Sequence, residues 1–145
     1  MSIKEQVQNA IKEAMKNRET TRLECLRLAK GALLLKEKEA PEALTDEAAI
    51  ATLRAEVRKR QQSIEIFREH GKEEEAKATE EEIRVLEEFL PQQLSAEQIE
   101  EKVRAYLAEH PGLTHAGKLT GALKKELGDS ADGKLLNEMC RKVLE

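Results

Sequence analysis

Lysines without neighbouring acids make one short stretch of this chain a candidate for binding phosphates. Residues 114–125 contain Lys118, Lys124 and Lys125 and no acidic residue, and Lys134 follows in the next predicted helix. Lysine amines meet phosphate oxygens as point charges, so the pattern predicts salt-sensitive contact with a nucleic-acid backbone. So few contacts give at most modest affinity, with dissociation constants of about 10⁻⁴–10⁻⁶ M.

Two glycines share this stretch. Gly117 and Gly121 lie four residues apart on one face of a predicted helix, where small residues permit another backbone to approach closely. That backbone is either a neighbouring helix, the first interpretation, or a nucleic-acid strand. The sequence H-A-G-K-L-T-G-A-L at residues 115–123 differs from the phosphate-binding loop G-x-x-x-x-G-K-[ST], and no buried strand precedes it. A nucleotide-binding loop is therefore excluded.

Glutamate runs and histidines have the right chemistry for catalysis, but their positions favour other roles. General acid–base work needs carboxylates in a desolvated cleft, whereas residues 73–75 and 80–82 lie on a predicted surface helix. No Glu-x-x-His pair suggests a metal site. His70, His110 and His115 fall at predicted helix ends. We therefore expect no catalytic residue, no metal and no cofactor.

A second group of cations precedes the glutamate runs. Residues 53–72 hold six positive side chains against three glutamates, and residues 73–88 hold eight glutamates against two cations. If these segments form a helical hairpin, the two charges neutralise each other across its interface. Intramolecular pairing is therefore the first interpretation of this patch, and nucleic-acid binding is the alternative.

The composition indicates an all-α protein. The chain has 145 residues, is 37% charged and carries a formal charge of −4, which is not the basic signature of an autonomous nucleic-acid binder. Cys25 and Cys140 lack C-x-x-C spacing, so we expect two reduced, partly buried thiols. The chain has neither a bilayer-length apolar run nor a signal-peptide pattern, so we expect a cytoplasmic protein without membrane contact.

Apolar residues at helical spacing predict four helices and then three shorter ones. The first four cover residues 2–17, a segment capped by Thr20 or Thr21 and ending near Ala40 before Pro41, residues 46–70 after a Thr45 cap, and a return leg reaching Leu90. Helices three and four form a hairpin that turns at Gly71. The last three start after Ser95, at Gly117 and after Asp132.

The sequence F-L-P-Q-Q-L-S at residues 89–95 divides the chain. Pro91 costs about 3 kcal/mol inside a helix, so the fourth helix must stop before it. Ser95 and Gln98 form a capping box, with Leu94 and Ile99 as a hydrophobic staple, so a new helix starts there. We predict an N-terminal helical domain over residues 1–91 and a small three-helix tail domain over residues 92–145.

An ordered set of short motifs resembles the GatB/YqeY family, and in particular its stand-alone YqeY-like members. The motifs are A-M-K at residues 14–16, L-R-L at 26–28, R-K-R-Q-Q-S-I-E at 58–65, F-L-P-Q-Q-L-S at 89–95, G-K-L-T-G-A-L at 117–123 and A-D-G-K-L-L at 131–136.

The resemblance implies that the tail is similar to the C-terminal domain of the GatB component of the tRNA-dependent amidotransferase. In that enzyme the domain helps to hold the outer corner of tRNA. The matching positions here are Gly117, Lys118, Gly121, Lys124, Asp132 and Lys134, with the lysines as phosphate contacts and Asp132 as a helix cap. The family often has Met between the two glycines, where this chain has Leu119 and Thr120. That departure leaves open whether the same helix face contacts the same ligand.

The resemblance also associates the chain with carbon–nitrogen ligases that use glutamine as amide donor. The residues argue against an activity of its own, because that reaction needs an ATP cradle, an ammonia source and an electrophile site. We therefore expect a non-catalytic module whose tail binds tRNA or a tRNA-handling enzyme. The alternatives are a helical protein–protein adaptor and, third, an amidotransferase subunit or remnant that takes part in catalysis.

Overall fold

A computed structural model of the chain describes residues 1–39 and 43–145. Its described residues form seven α-helices and no strand, which confirms the all-α prediction. The helices are α1 (Ile3–Lys16), α2 (Thr20–Glu39), α3 (Asp46–Glu69), α4 (Glu73–Glu87), α5 (Ala96–Glu109), α6 (Ala116–Leu127) and α7 (Gly133–Leu144). None of the described helices combines the length and the apolarity needed to cross a membrane.

The contacts divide the chain into two compact units, Met1–Leu90 and Pro91–Glu145. The first unit contains α1 to α4 around a core that includes Val7 from α1, Leu33 from α2, Leu53 from α3 and Leu86 from α4. The second unit contains α5 to α7 around its own core, with Ile99 and Val103 from α5 against Leu119, Leu123, Leu136 and Cys140. Each unit therefore buries its apolar residues by itself.

Side-chain caps start α1, α3, α5 and α7, and a fifth starts α6. Ser2, Thr45 and Asp132 each accept a backbone N–H in the first turn of α1, α3 and α7. At α5 the box is complete, because Ser95 Oγ accepts the Gln98 N–H at 3.2 Å and Gln98 Oε1 accepts the Ser95 N–H at 2.9 Å. The predicted capping box is confirmed, as are the predicted caps at Thr45 and Asp132.

The start of α2 differs from the prediction. The helix already includes Thr20, and the carbonyl of Glu19 accepts the N–H of Leu23 at 2.8 Å. Neither Thr20 nor Thr21 caps the helix, because the tight turn after α1 brings Glu19 into the capping position, where its N–H donates to the Ala14 carbonyl at 2.9 Å. The stop predicted near Ala40, before Pro41, lies outside the described residues.

The α3–α4 hairpin turns at Gly71, whose φ of +70° is the left-handed conformation that favours glycine. Across the hairpin, Arg68 pairs with Glu80 and, at 3.3 Å, with Glu73, while Arg60 Nε lies 3.7 Å from Glu82. Pairing across the hairpin is confirmed for Arg60 and Arg68, whereas Lys59 pairs with Glu56 of its own helix. The Glu73–Glu75 run is exposed at the start of α4, where the helix dipole favours acids.

Candidate nucleic-acid interface

α6 is positioned by its buried side. Leu119 and Leu123 are almost fully buried in the core of the second unit. His115 caps the helix, because its Nδ1 accepts the N–H of Lys118 at 3.3 Å, and Gly128 follows its last residue with a φ of +56°. The amphipathic pattern therefore fixes which residues of α6 face outward.

The outward residues form one continuous arc of α6. At 3.6 residues per turn, Gly117 and Gly121 lie at the centre of this arc, with Lys124 along one edge and Lys118 and Lys125 along the other. All five residues are exposed. We call this arrangement the glycine strip: a stretch of helix surface without side chains, bordered on both sides by lysines.

Open space lies over the middle of the glycine strip. A Cβ atom added at Gly121 would meet no described heavy atom within 4 Å, and one added at Gly117 would meet only the ring of His115, at 3.0 Å. The interpretation that a neighbouring helix packs on these glycines is therefore wrong for the described helices of the second unit. The nucleic-acid alternative stays a prediction.

The structure also brings Lys124 to the start of α7. Its Nζ lies 2.5 Å from the position that a Cβ would take at Gly133, the first residue of that helix. Lys134 is the next residue and is exposed. Lys124 therefore reaches the residue that precedes Lys134. Lys118 lies about 9 Å from Lys124 along the axis of α6, at 1.5 Å per residue.

Within α5 and α6 of the second unit, positive charge is concentrated between Ala116 and Lys125. Between Ala116 and Lys125 the chain has three lysines and no acid, whereas α5 has four glutamates and two cations. Lys118 and Lys125 are about 10 Å apart along the helix, a distance over which one strand of a duplex carries about three phosphates. The geometry suits contact with a backbone of phosphates.

Thr120, which lies between the two glycines of α6, faces α7. Its hydroxyl lies 2.8 Å from the Ala116 carbonyl and 3.3 Å from Asn137 Oδ1. The hydroxyl has one proton, so it donates to one of these oxygens at a time. Burial raises the pKa of the nearby Cys140 thiol, and a hydrogen bond from Thr120 opposes that rise. Thr120 thus joins α6 to α7 and lies outside the glycine strip.

The other histidines and the cysteines make structural contacts in the described part of the chain. His110 stacks on Tyr106, with ring centroids 4.2 Å apart, and His70 contacts the Ile66 carbonyl through Nδ1 at 2.9 Å. Cys25 and Cys140 are free and buried. Among residues 1–39 and 43–145, no group of three or more His, Cys, Asp or Glu side chains is placed to hold a metal ion.

The glycines and lysines were predicted from the sequence, but two features at the start of α6 were missed. His115 was placed at a helix entrance but was not recognised as the cap, and the room that Gly117 leaves for the imidazole ring was not seen. The signal was present, because His115 and Gly117 stand at the first positions of an amphipathic helix that lacks Ser, Thr, Asp or Asn at its cap.

The architecture defines a class: an all-helical protein of two compact units, with a small helical tail that exposes a lysine-bordered glycine strip. Within this class, residues 4–144 match the family of Yqey-like proteins. The chain belongs to that family. Comparison with curated proteins finds no match.

Proposed function

We propose that the tail, the three-helix segment after residue 91, binds tRNA or a tRNA-handling enzyme through the glycine strip. The observation that carries the proposal is the open space over Gly121, with exposed Lys124 on one side and exposed Lys118 and Lys125 on the other. A nucleic-acid backbone can lie close to bare helix surface while its phosphates meet amines on both sides. With one tyrosine and two phenylalanines in the chain, stacking is scarce, so recognition would read backbone shape.

A set of charge variants tests this proposal. Anisotropy of labelled tRNA is measured with the full chain at about 50 and 200 mM salt, because phosphate-driven affinity must fall as salt rises. A triple Lys118/Lys124/Lys134→Glu variant should lose binding. The matched control, Lys12/Lys16/Lys102→Glu, changes the net charge equally at exposed lysines of α1 and α5 and should bind nearly as well as the parent.

Two outcomes contradict the proposal. One is the absence of binding at low salt by a protein that circular dichroism shows to be folded. The other is equal loss of affinity in the two triple variants, because net charge and not the glycine strip would then explain binding.

The second candidate function is a protein–protein adaptor without a nucleic-acid role. It is favoured by a specific observation: Arg60 and Arg68 of α3 pair with glutamates of α4, while α2 exposes leucines. The absence of tRNA binding at low salt by the folded protein would point to this function.

A further inference from the structure

Two aromatic rings are stacked at the end of α5. Tyr106 and His110 lie four residues apart, so they share one face of the helix. Their ring centroids are 4.2 Å apart, and the ring planes are inclined by 16°. Tyr106 is half-buried against the core of the second unit, whereas His110 is exposed. The imidazole therefore has one face on the phenol ring and the other face open to solvent.

Hydrogen bonds also hold the imidazole in place. His110 Nδ1 lies 3.0 Å from the Tyr106 carbonyl oxygen, which can only accept, so Nδ1 carries a proton and donates it. The backbone N–H of His110 donates to the same carbonyl at 2.9 Å, and the His110 carbonyl accepts the N–H of Leu113 at 3.1 Å. Because the ring is already fixed, it loses less conformational freedom when a ligand stacks on it than a mobile side chain would.

The segment that follows α5 joins this ring pair to the glycine strip without an acidic residue. Residues 110–125 contain three lysines and two histidines and neither Asp nor Glu. His110 and His115, which caps α6, are five residues apart, so their Cα atoms are separated by at most about 18 Å. A phosphate backbone on the glycine strip can therefore continue toward His110 without meeting an acid of this segment.

We propose that the open face of His110 stacks on an unpaired nucleobase of an RNA whose phosphates lie on the glycine strip. The ligand class follows from the chemistry, because histidine and tyrosine rings stack on bases that are splayed out of a helix, and every base has a planar π-face. The inference rests on the proposed function, since it adds one base contact to binding that otherwise depends on phosphates.

His70 provides the contrast within the same chain. It ends α3 as His110 ends α5, it is exposed, and its Nδ1 lies 2.9 Å from the Ile66 carbonyl. The residue four positions before it is isoleucine, so no aromatic ring supports the imidazole from that position. Residues 73–75, which follow shortly after, are all glutamates. His70 therefore has the same hydrogen bond as His110 but neither the ring stack nor an acid-free continuation.

Two RNA probes with equal numbers of phosphates separate base contacts from phosphate contacts. One is a single strand of about ten adenylates, and the other is the same ribose–phosphate backbone without bases. Anisotropy of both labelled probes is measured with the full chain at about 50 mM salt, where phosphate contacts are strong. Stacking of one base on an aromatic side chain corresponds to about 5-fold or more in affinity, so the parent chain should prefer the strand with bases by at least that factor.

Variants at His110 identify the ring. His110→Ala should bind the two probes nearly equally, because it keeps the lysines and loses the imidazole, and its affinity for the abasic strand should match that of the parent. His110→Phe restores a planar ring and should recover most of the preference for bases. His70→Ala is the matched control and should keep the full preference. Circular dichroism checks that each variant is folded.

Three results would overturn the inference while leaving RNA binding by the tail intact. The parent chain could bind the two probes equally, which would show contact with phosphates only. A preference for bases could persist in folded His110→Ala, which would place the stacking ring elsewhere. His70→Ala could lose the preference as fully as His110→Ala, which would separate the effect from the ring stack.

A fourth result would remove the inference and the proposed function together. If neither labelled tRNA nor either probe binds the folded parent chain at low salt, RNA is not the ligand of the tail. A planar side chain of a protein partner, such as an arginine guanidinium, would then be the candidate for stacking on His110.

Discussion

Gly117 and Gly121 share one face of α6 but have different surroundings. Gly121 faces open space, so Gly121→Ala should raise the free energy of unfolding by about 1 kcal/mol through helix propensity. Gly117→Ala should gain less, because its Cβ would lie 3.0 Å from Cε1 and 3.2 Å from Nδ1 of the capping His115. Urea denaturation of the two variants measures the difference.

A double variant isolates the cause. His115→Ser keeps a capping side chain but removes the ring. In that background Gly117→Ala should gain nearly as much as Gly121→Ala. If Gly117→Ala gains equally in both backgrounds, the imidazole ring does not explain the smaller effect.

The two cysteines lead to a prediction about pH. Burial raises the pKa of both thiols, while Arg60 opposes the rise at Cys25 and Thr120 opposes it at Cys140. A raised folded-state pKa favours the neutral thiol. Its contribution to stability is therefore complete below the unfolded thiol pKa of about 8.5 and is lost as pH rises through the folded-state pKa.

Alkylation by iodoacetamide checks this prediction. At pH 8 the native chain should react far more slowly than the chain in urea, and its melting temperature should fall only above the unfolded thiol pKa. Equal rates in the native and unfolded chains would contradict the burial of the thiols.

At the scale of helices, the capping box of α5 has a measurable energy. Ser95 and Gln98 satisfy each other's backbone N–H groups, so Ser95→Ala should lower the free energy of unfolding by about 1 kcal/mol. Ser63→Ala is the matched control. Ser63 lies inside α3, where its hydroxyl bonds to the Lys59 carbonyl, and alanine there should cost little or nothing. Thermal unfolding followed by circular dichroism compares the two.

The helix starts show what a sequence can and cannot predict about elements. Thr45, Ser95 and Asp132 cap their helices as predicted, because each cap is a local hydrogen bond to the first turn. The start of α2 was misplaced, because Glu19 is held by the tight turn that follows α1 and not by its own side chain. A side-chain cap can be predicted from residues a few positions apart. The geometry of a turn depends on how the two helices that it joins pack together.

The candidate site follows the same rule. Its lysines and glycines were predicted from their types and spacing, since a helix fixes which of them share a face. The surroundings of the glycines were not predicted from the sequence, because contacts between distant residues decide whether another helix covers Gly121. Thr120 is a further case. Its direction toward Asn137 depends on how α6 packs against α7, which no local pattern encodes.

For the whole molecule, the two separate cores predict that the chain can be cut between Leu90 and Pro91. Residues 1–90 should keep helical circular dichroism and unfold cooperatively. Residues 91–145 should also fold, with lower stability, because a domain of about 60 residues buries only about 60% of its unfolded surface.

The two fragments also test where tRNA binds. The second contains the glycine strip and should keep the salt-sensitive affinity for tRNA. A folded first fragment that binds tRNA as well as the full chain would move nucleic-acid binding away from the tail. Loss of tRNA affinity in both folded fragments would show that the tail is not sufficient for binding, which would contradict the assignment of binding to the glycine strip alone.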